Sequence, residues 1–258
     1  MNLNSSITNK SIPHFLIIGA QKCGTTSLYN YLIQHPQVHA ATNKELHFFD
    51  IYFKKGLEWY YKQFPLIKLD EPIITGEASP YYIFHPHAPK RIASILPNVK
   101  LIILLRNPVD RAYSHYYHQV RIKTENLSFK EAITAENNRL KPELIKMIKD
   151  ENYYSIPYQY YSYLARGRYI EQIQIWRSFF PEKQFLILKS EDFFSDPHII
   201  FQTVLDFLGI SQYQLKEYKK ENTNKYPKLD INIKNELYNY YDDYNLKLYN
   251  YLGINFNW

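Results

Sequence analysis

The apolar positions of the chain form short continuous runs, separated by segments in which they recur with helical spacing. Residues 15 to 20, FLIIGA, make the first run, and the stretch from Val99 to Leu105 is apolar apart from Lys100. Runs without alternation predict strands covered on both faces. The first leads into a turn and a helix in which Leu28, Tyr31 and Leu32 share one face and which Pro36 ends. The second leads into Asn107 and Pro108, an N-cap and a first-turn proline for the helix VDRAYSHYYHQV. A shorter strand is predicted at about Ile73 to Glu77, closed by Pro80, and another within QFLILKSEDF. That last strand follows a helix near Ile170 to Phe179 and precedes one near His198 to Leu208. The polar stretch from Lys123 to Glu151 has helical patches but weak periodicity, and it reads as a mobile excursion over the site.

Strands alternating with helices predict the α/β class, here a three-layer P-loop-like fold with a central, mostly parallel sheet flanked by helices. Ligands of such sheets bind beyond the carboxyl ends of the strands, where the loop Gly19 to Ser27 and the turn Arg106 to Pro108 both fall. With 258 residues and no internal repeat or linker, one domain over residues 1–258 is expected, residues 1–13 being a flexible N-terminus. No apolar run approaches the roughly 18 residues of a membrane span, and the N-terminus lacks the layout of an export signal. The expectation is a cytoplasmic protein without stable membrane insertion. A single cysteine, Cys23, leaves no internal disulfide or multi-cysteine zinc site and suits a reducing compartment.

Charge adds a direction but not an identity. Lysine and arginine total 31 against 25 acids, a net charge of +6 that attracts polyanions without choosing among them. No basic tract or nucleic-acid motif accompanies it, so nucleic acid is not an expected partner. The 26 tyrosines read first as compositional bias, although such clusters can stack on sugars or bases.

The loop FLIIGAQKCGTTSLYNYL carries the most specific chemistry. A nucleoside triphosphatase loop reads G-x-x-x-x-G-K-[ST], its lysine following the second glycine to reach the terminal phosphates. Here Gly19 and Gly24 keep that separation, but Thr25 stands in the lysine position and Lys22 lies inside the loop. Backbone N–H groups around Gly24, with the hydroxyls of Thr25, Thr26 and Ser27 at a helix start, still make an anion cradle. The strand LIILLR ends in Arg106, where a Walker-type enzyme often places an aspartate for magnesium. Two anion sites result, one at the loop and one at Arg106 with Ser114, and no metal site is expected. A nucleoside with anionic groups at both ends satisfies both.

This arrangement resembles the sulfotransferases that use 3'-phosphoadenosine 5'-phosphosulfate as donor co-substrate. QKCGTTSL is similar to their 5'-phosphosulfate loop and LIILLRNPVDRAYSHYYHQ to their 3'-phosphate motif. KELHFFD, YLARGRYIEQIQIW and NLKLYNYLGINFNW resemble the heparan sulfate N-sulfotransferase and 3-O-sulfotransferase branch. The resemblance implies transfer of a sulfonyl group to a hydroxyl or amine of an acceptor, a glycan in that branch, by in-line displacement. It implies Lys22 at the bridging oxygen, Glu45 as base, and His47 orienting the acceptor or sharing the proton. It implies Lys22, Cys23, Gly24, Thr25, Thr26 and Ser27 at the 5' phosphate and Arg106 with Ser114 at the 3' phosphate. Tyr169, with Arg166 and Gly167, would border the nucleotide, and Asn224, Lys225 and Tyr226 would meet it from a late loop, NTNKYP. The cysteine pair of the animal enzymes is missing, and Ala78 replaces a substrate-binding lysine of some of them. A noncatalytic adenosine-bisphosphate sensor and an ATP-dependent P-loop kinase are the rival readings.

Overall fold

The computed structural model describes residues 12–68, 71–221 and 225–258. In chain order the strands are β1 (Phe15–Gly19), β2 (Val38–Ala40), β3 (Ile74–Ala78), β4 (Lys100–Leu105) and β5 (Phe185–Lys189). They form one parallel sheet in the order β2-β3-β1-β4-β5. The helices are α1 (Thr25–Leu32), α2 (Gly56–Tyr61), α3 (Ala88–Ile95), α4 (Pro108–Arg121), α5 (Phe129–Lys149), α6 (Ile156–Tyr160), α7 (Tyr169–Arg177), α8 (Ser190–Ser195), α9 (Pro197–Leu208) and α10 (Ile231–Leu252). The α/β class read from the alternating pattern is therefore the class observed. The expected flexible N-terminus falls almost wholly on residues 1–11, outside the described residues.

The apolar runs became the middle of the sheet because a central parallel strand must be covered on both faces. Every residue of β1 is buried, as is β4 after Lys100, and each fully buried Leu or Ile there contributes about 1.5–3 kcal/mol relative to exposure. Phe15 pairs with Gly76 on one side and Lys100 on the other. This register brings the carboxyl ends of β1, β3 and β4 to one edge. The chain leaves β1 towards β2 and β3 and returns past it to β4, so the crevice between the ends of β1 and β4 is the topological switch point.

One expectation is corrected. The stretch Lys123 to Glu151 is not a mobile excursion: α5 occupies most of it, opened by a capping box between Ser128 and Glu131. Its buried positions, Phe129, Ala132, Glu136, Leu140, Glu143 and Met147, follow helical spacing. Two of the six are carboxylates, which hides the stripe from an apolar pattern. Glu136 accepts from the backbone N–H groups of Leu164 (2.6 Å) and Ala165 (2.7 Å), and Glu143 from the hydroxyls of Tyr153 (2.8 Å) and Ser155 (2.7 Å). Buried carboxylates are tolerable when satisfied in this way.

Candidate active site

The loop after β1 turns into α1 through Gly24, whose φ of +99° is left-handed. A Cβ there would stand 2.8 Å from Cζ of Phe194 and would carry the steric cost of that conformation as well. At the other end of the loop, a Cβ on Gly19 would lie 2.5 Å from Cγ2 of Ile83. The two glycines therefore fix where the loop runs. The first turn of α1 contains no acidic residue, and its N-cap has no side-chain hydrogen bond, so its N–H groups are left for an anion. Across the switch point, Asn107 Oδ1 caps α4 by accepting from Val109 N (3.0 Å), and its own N–H donates to Glu191 Oε1 (2.8 Å). Arg106 is thereby held between the end of β4 and a capped helix, its Nη1 donating to the Lys22 carbonyl (3.4 Å).

Two adjoining cavities open at this edge. The larger, about 410 Å³, is lined by Lys22, Arg106, Ser114, Tyr117, His118, Val120, Arg121, Lys220, Lys225 and Tyr226, a set containing no carboxylate. The smaller, about 270 Å³, is lined by the loop residues Gln21, Lys22, Gly24, Thr25, Thr26 and Ser27, together with Glu45, Pro80 and Lys220 among others. Lys22, Ser114, His118 and Lys220 line both. Among the described residues neither Lys22 nor Arg106 forms an ion pair with a carboxylate, Asp110 in the first turn of α4 included. Burial, reinforced by the charges of Arg121 and Arg106, lowers the Lys22 ammonium to about 8.

On the far side of the smaller cavity, the Glu45 N–H donates to the carbonyl of Ala78 (3.1 Å), which ties the loop to the end of β3. His47 Nε2 is 3.4 Å from Glu45 Oε2, and His47 Nδ1 is 2.7 Å from Asp50 Oδ2, whose side chain is fully buried. Lys44 pairs with the other Glu45 oxygen. Burial works to raise the Glu45 carboxyl, but the His47 hydrogen bond and the Lys44 charge outweigh it and hold the group at about 2. Solvent weakens that hold, because the Glu45 side chain is 40% exposed. Burial also works to lower His47, and there the two carboxylates prevail, raising the imidazole to about 10. The ring is therefore a cation at neutral pH, clamped between two acids. Lys22, Glu45 and His47 all have left-handed backbone, with φ of 71°, 63° and 50°. Non-glycine residues hold that conformation only where their surroundings impose it, commonly at functional sites.

Most of the residues singled out from the sequence come together here: Lys22, Gly24, Thr25, Thr26, Ser27, Glu45, Arg106, Ser114, Lys225 and Tyr226 line one cavity or both. Three do not. Cys23 is fully buried, and burial pushes its thiol up to about 11. Tyr169 is buried with its hydroxyl donating to the Arg106 carbonyl (2.8 Å), so it braces the arginine from behind. Arg166 similarly donates to Gln21 Oε1 (2.8 Å) while its guanidinium lies 4.6 Å above the Tyr81 ring, and Gly167 is pressed against Tyr241. Asn224 lies outside the described residues.

The sequence reading missed Tyr117, His118, Arg121 and Lys220. Ser114, Tyr117, His118 and Arg121 are spaced as one face of α4, a signal that was present once Ser114 had been singled out. Tyr117 stacks on Tyr226 at 5.0 Å and 7°, closing one wall of the larger cavity. Burial and the neighbouring charges of Lys22 and Arg121 lower His118 to about 4, leaving a neutral ring whose Nδ1 accepts from Arg121 (3.1 Å). Lys220 lies 4.0 Å above the Phe194 ring, and no pattern in the sequence marked it. Among the described residues no three His, Cys, Asp or Glu side chains are grouped to hold a metal ion, and no helix is long and apolar enough to cross a membrane.

Comparison with known proteins agrees with this geometry. The family model described as the sulfotransferase domain matches residues 12–241. Membrane-associated sulfotransferase kil1 of Dictyostelium discoideum is 28% identical over 96% of this chain, which spans 66% of kil1. The human bifunctional heparan sulfate N-deacetylase/N-sulfotransferase 3 is 32% identical over 92% of the chain, which spans only 29% of that enzyme. The human heparan sulfate glucosamine 3-O-sulfotransferase 3B1 is 30% identical over 97% of the chain and is spanned over 66% of its length. Among solved structures, a sulfotransferase from Alicyclobacillus acidocaldarius superposes with a TM-score of 0.77 at 30% identity, covering 94% of this chain and 96% of that one. The chain belongs to the sulfotransferase family.

Proposed function

We propose that the protein transfers a sulfonyl group from 3'-phosphoadenosine 5'-phosphosulfate to a hydroxyl or amine of a glycan acceptor. The observation that carries this reading is the pair of cavities joined at Lys22, one rimmed by cations with no carboxylate and the other running from the α1 N-terminus to Glu45. A nucleotide with phosphates at both ends fits that donor set: Arg106, Ser114, Lys225 and Arg121 would hold the 3' phosphate, and the first turn of α1 with Thr25, Thr26 and Ser27 the 5' end. When bound, the donor supplies the activated sulfonyl group. The glycan acceptor is supported by the relatives named for heparan sulfate.

The chain's own groups then divide the work. Lys22 places a cation where the cavities meet and offsets the negative charge that grows at that point as transfer proceeds. Glu45 takes the proton of the attacking hydroxyl or amine. In the free protein Glu45 is a weak base because Lys44 and the His47 cation both neutralise it, so an acceptor has to displace Lys44 as it enters. His47, steadied by Asp50, keeps the remaining Glu45 oxygen oriented. Alignment and charge stabilisation are the principal requirements of such group transfers.

The test is release of adenosine 3',5'-bisphosphate from the donor, followed with N-deacetylated heparan sulfate, with N-sulfated heparan sulfate and with a small alcohol. Glycan-dependent release that falls at least ~100-fold in Lys22→Ala and in Glu45→Ala is the expected result. Full turnover in both variants would overturn the mechanism, and turnover with the small alcohol alone would overturn the glycan assignment.

A further inference from the structure

Behind the loop that carries Glu45 and His47 sits a carboxylate with no accessible surface. Glu77, at the end of β3, is 0% exposed and has no cation paired with it among the described residues. Its partners are three hydroxyls: Ser79 Oγ donates to Oε2 (2.7 Å), and Tyr60 (2.9 Å) and Tyr82 (3.0 Å) donate to Oε1. Two of those hydroxyls face the loop on their other side. Ser79 Oγ accepts from His47 N (3.2 Å), and Tyr82 Oη accepts from Phe48 N (2.9 Å) and lies 3.4 Å from Phe49 N.

A hydroxyl has a single proton to give. An ionised carboxylate can only accept, so it draws the protons of Ser79 and Tyr82 onto itself and leaves their lone pairs facing the loop N–H groups. We propose that Glu77 is a positioning residue for sulfonyl transfer: by fixing the polarity of the Ser79 and Tyr82 hydroxyls it holds the loop so that Glu45 and His47 keep the left-handed backbone that brings them together. The inference rests on the reading of Glu45 and His47 as the proton-handling pair. Tyr60 is a built-in contrast, since among the described residues its hydroxyl bonds the same carboxylate and no group of the loop, which its ring touches by stacking on Phe48 at 4.4 Å and edge-on to Phe49 at 5.0 Å.

The experiment uses the full chain with Tyr82→Phe, Ser79→Ala, Tyr60→Phe and Glu77→Gln variants, binding and turnover being read at pH 8, above the value of about 7 to which burial raises Glu77, and the His47 ring being followed through a pH titration. Three quantities are compared: the titration midpoint of the His47 ring by NMR, assigned from the signal missing in His47→Gln, the affinity for adenosine 3',5'-bisphosphate, and turnover with a heparan sulfate acceptor. In Tyr82→Phe and Ser79→Ala the His47 midpoint falls towards the ordinary histidine value and turnover drops roughly 10- to 100-fold, while nucleotide affinity holds. Tyr60→Phe leaves all three in place. Should Glu77→Gln fail to fold, the hydroxyl variants carry the test. An unshifted His47 midpoint with unchanged turnover in both Tyr82→Phe and Ser79→Ala would overturn the proposal, as would an equal loss in Tyr60→Phe, which would make Glu77 a stability element alone. A fully active Glu45→Ala beside a shifted His47 in Tyr82→Phe would overturn the functional reading and leave the positioning standing.

Discussion

Glu45 Oε2 and His47 Nε2 lie 3.4 Å apart across a loop in which both residues have positive φ, 63° and 50°. Neither conformation is comfortable for a side chain with a Cβ. The contact exists because the backbone of residues 45–49 is tied from behind, at the Ala78 carbonyl and at the Ser79 and Tyr82 hydroxyls. Replacing Glu45 with glutamine keeps the shape and removes the base. Turnover is expected to fall at least ~100-fold with nucleotide affinity unchanged, which steady-state rates beside calorimetry would check. A parallel loss of nucleotide affinity would mean that Glu45 shapes the donor cavity rather than handling a proton.

Lys22 gives a pH dependence with a definite sign. Burial and the charges of Arg121 and Arg106 lower its ammonium to about 8 in the free protein, and an anion bound beside it would raise that value again. Nucleotide binding is therefore accompanied by proton uptake near pH 8, and affinity declines as pH climbs beyond it. Calorimetry in two buffers of different ionisation enthalpy measures the uptake directly. Lys22→Met should abolish it.

Gly24→Ala tests the loop backbone. The added Cβ meets Phe194 Cζ at 2.8 Å and has to sit at φ +99°, a combination expected to cost about 1–3 kcal/mol. A fall in Tm with a still larger fall in nucleotide affinity is expected, since the strained residue heads the anion cradle. Thermal unfolding with and without the bisphosphate nucleotide would show whether the bound form loses more.

These predictions rest on a site whose two halves were legible in the sequence to different degrees. The loop from Gly19 to Ser27 and the turn at Arg106 could be read because continuous apolar runs fix where the strands end, and the carboxyl ends of parallel strands share an edge. The departure of Lys22 from the triphosphatase pattern was visible for the same reason. Glu45 was reached only through the resemblance of KELHFFD to a known motif; no period in that segment announces a loop with positive φ. His118 and Arg121 were within reach, one and two turns along α4 from Ser114. α5 showed only as helical patches because Glu136 and Glu143 fill two positions of its buried face, and α10 was missed because Tyr241 and Asn245 stand between Leu237 and Leu248 where aliphatic residues would have marked the stripe. In both helices hydrogen bonding replaces apolar burial, as in the bond from Tyr241 to the Leu164 carbonyl (2.8 Å), and hydropathy cannot register that exchange.

His47 links the site to stability. Its folded value, about 10, stands above the ordinary 6.5, so its contribution is complete below pH 6.5 and is lost as pH rises through 10. Lys22, lowered from 10.5 to about 8, pulls the opposite way over the upper part of that range. Denaturant unfolding of the wild type and of His47→Asn across this window separates the two, because Lys22 is common to both. The stability difference between them should shrink steadily with rising pH, and a constant difference would show that the ring is not held as a cation.

The measurement that bears most directly on sulfonyl transfer is calorimetric binding of adenosine 3',5'-bisphosphate, set against 5'-AMP and against ATP with magnesium. The cation-lined cavity at Arg106 predicts tight binding that requires the 3' phosphate and weakens at least ~10-fold in Arg106→Ala, in line with the loss of a charge-assisted hydrogen bond. Equal affinity for 5'-AMP, or a preference for ATP with magnesium, would contradict it and return the loop to the phosphoryl-transfer chemistry from which Lys22 separates it.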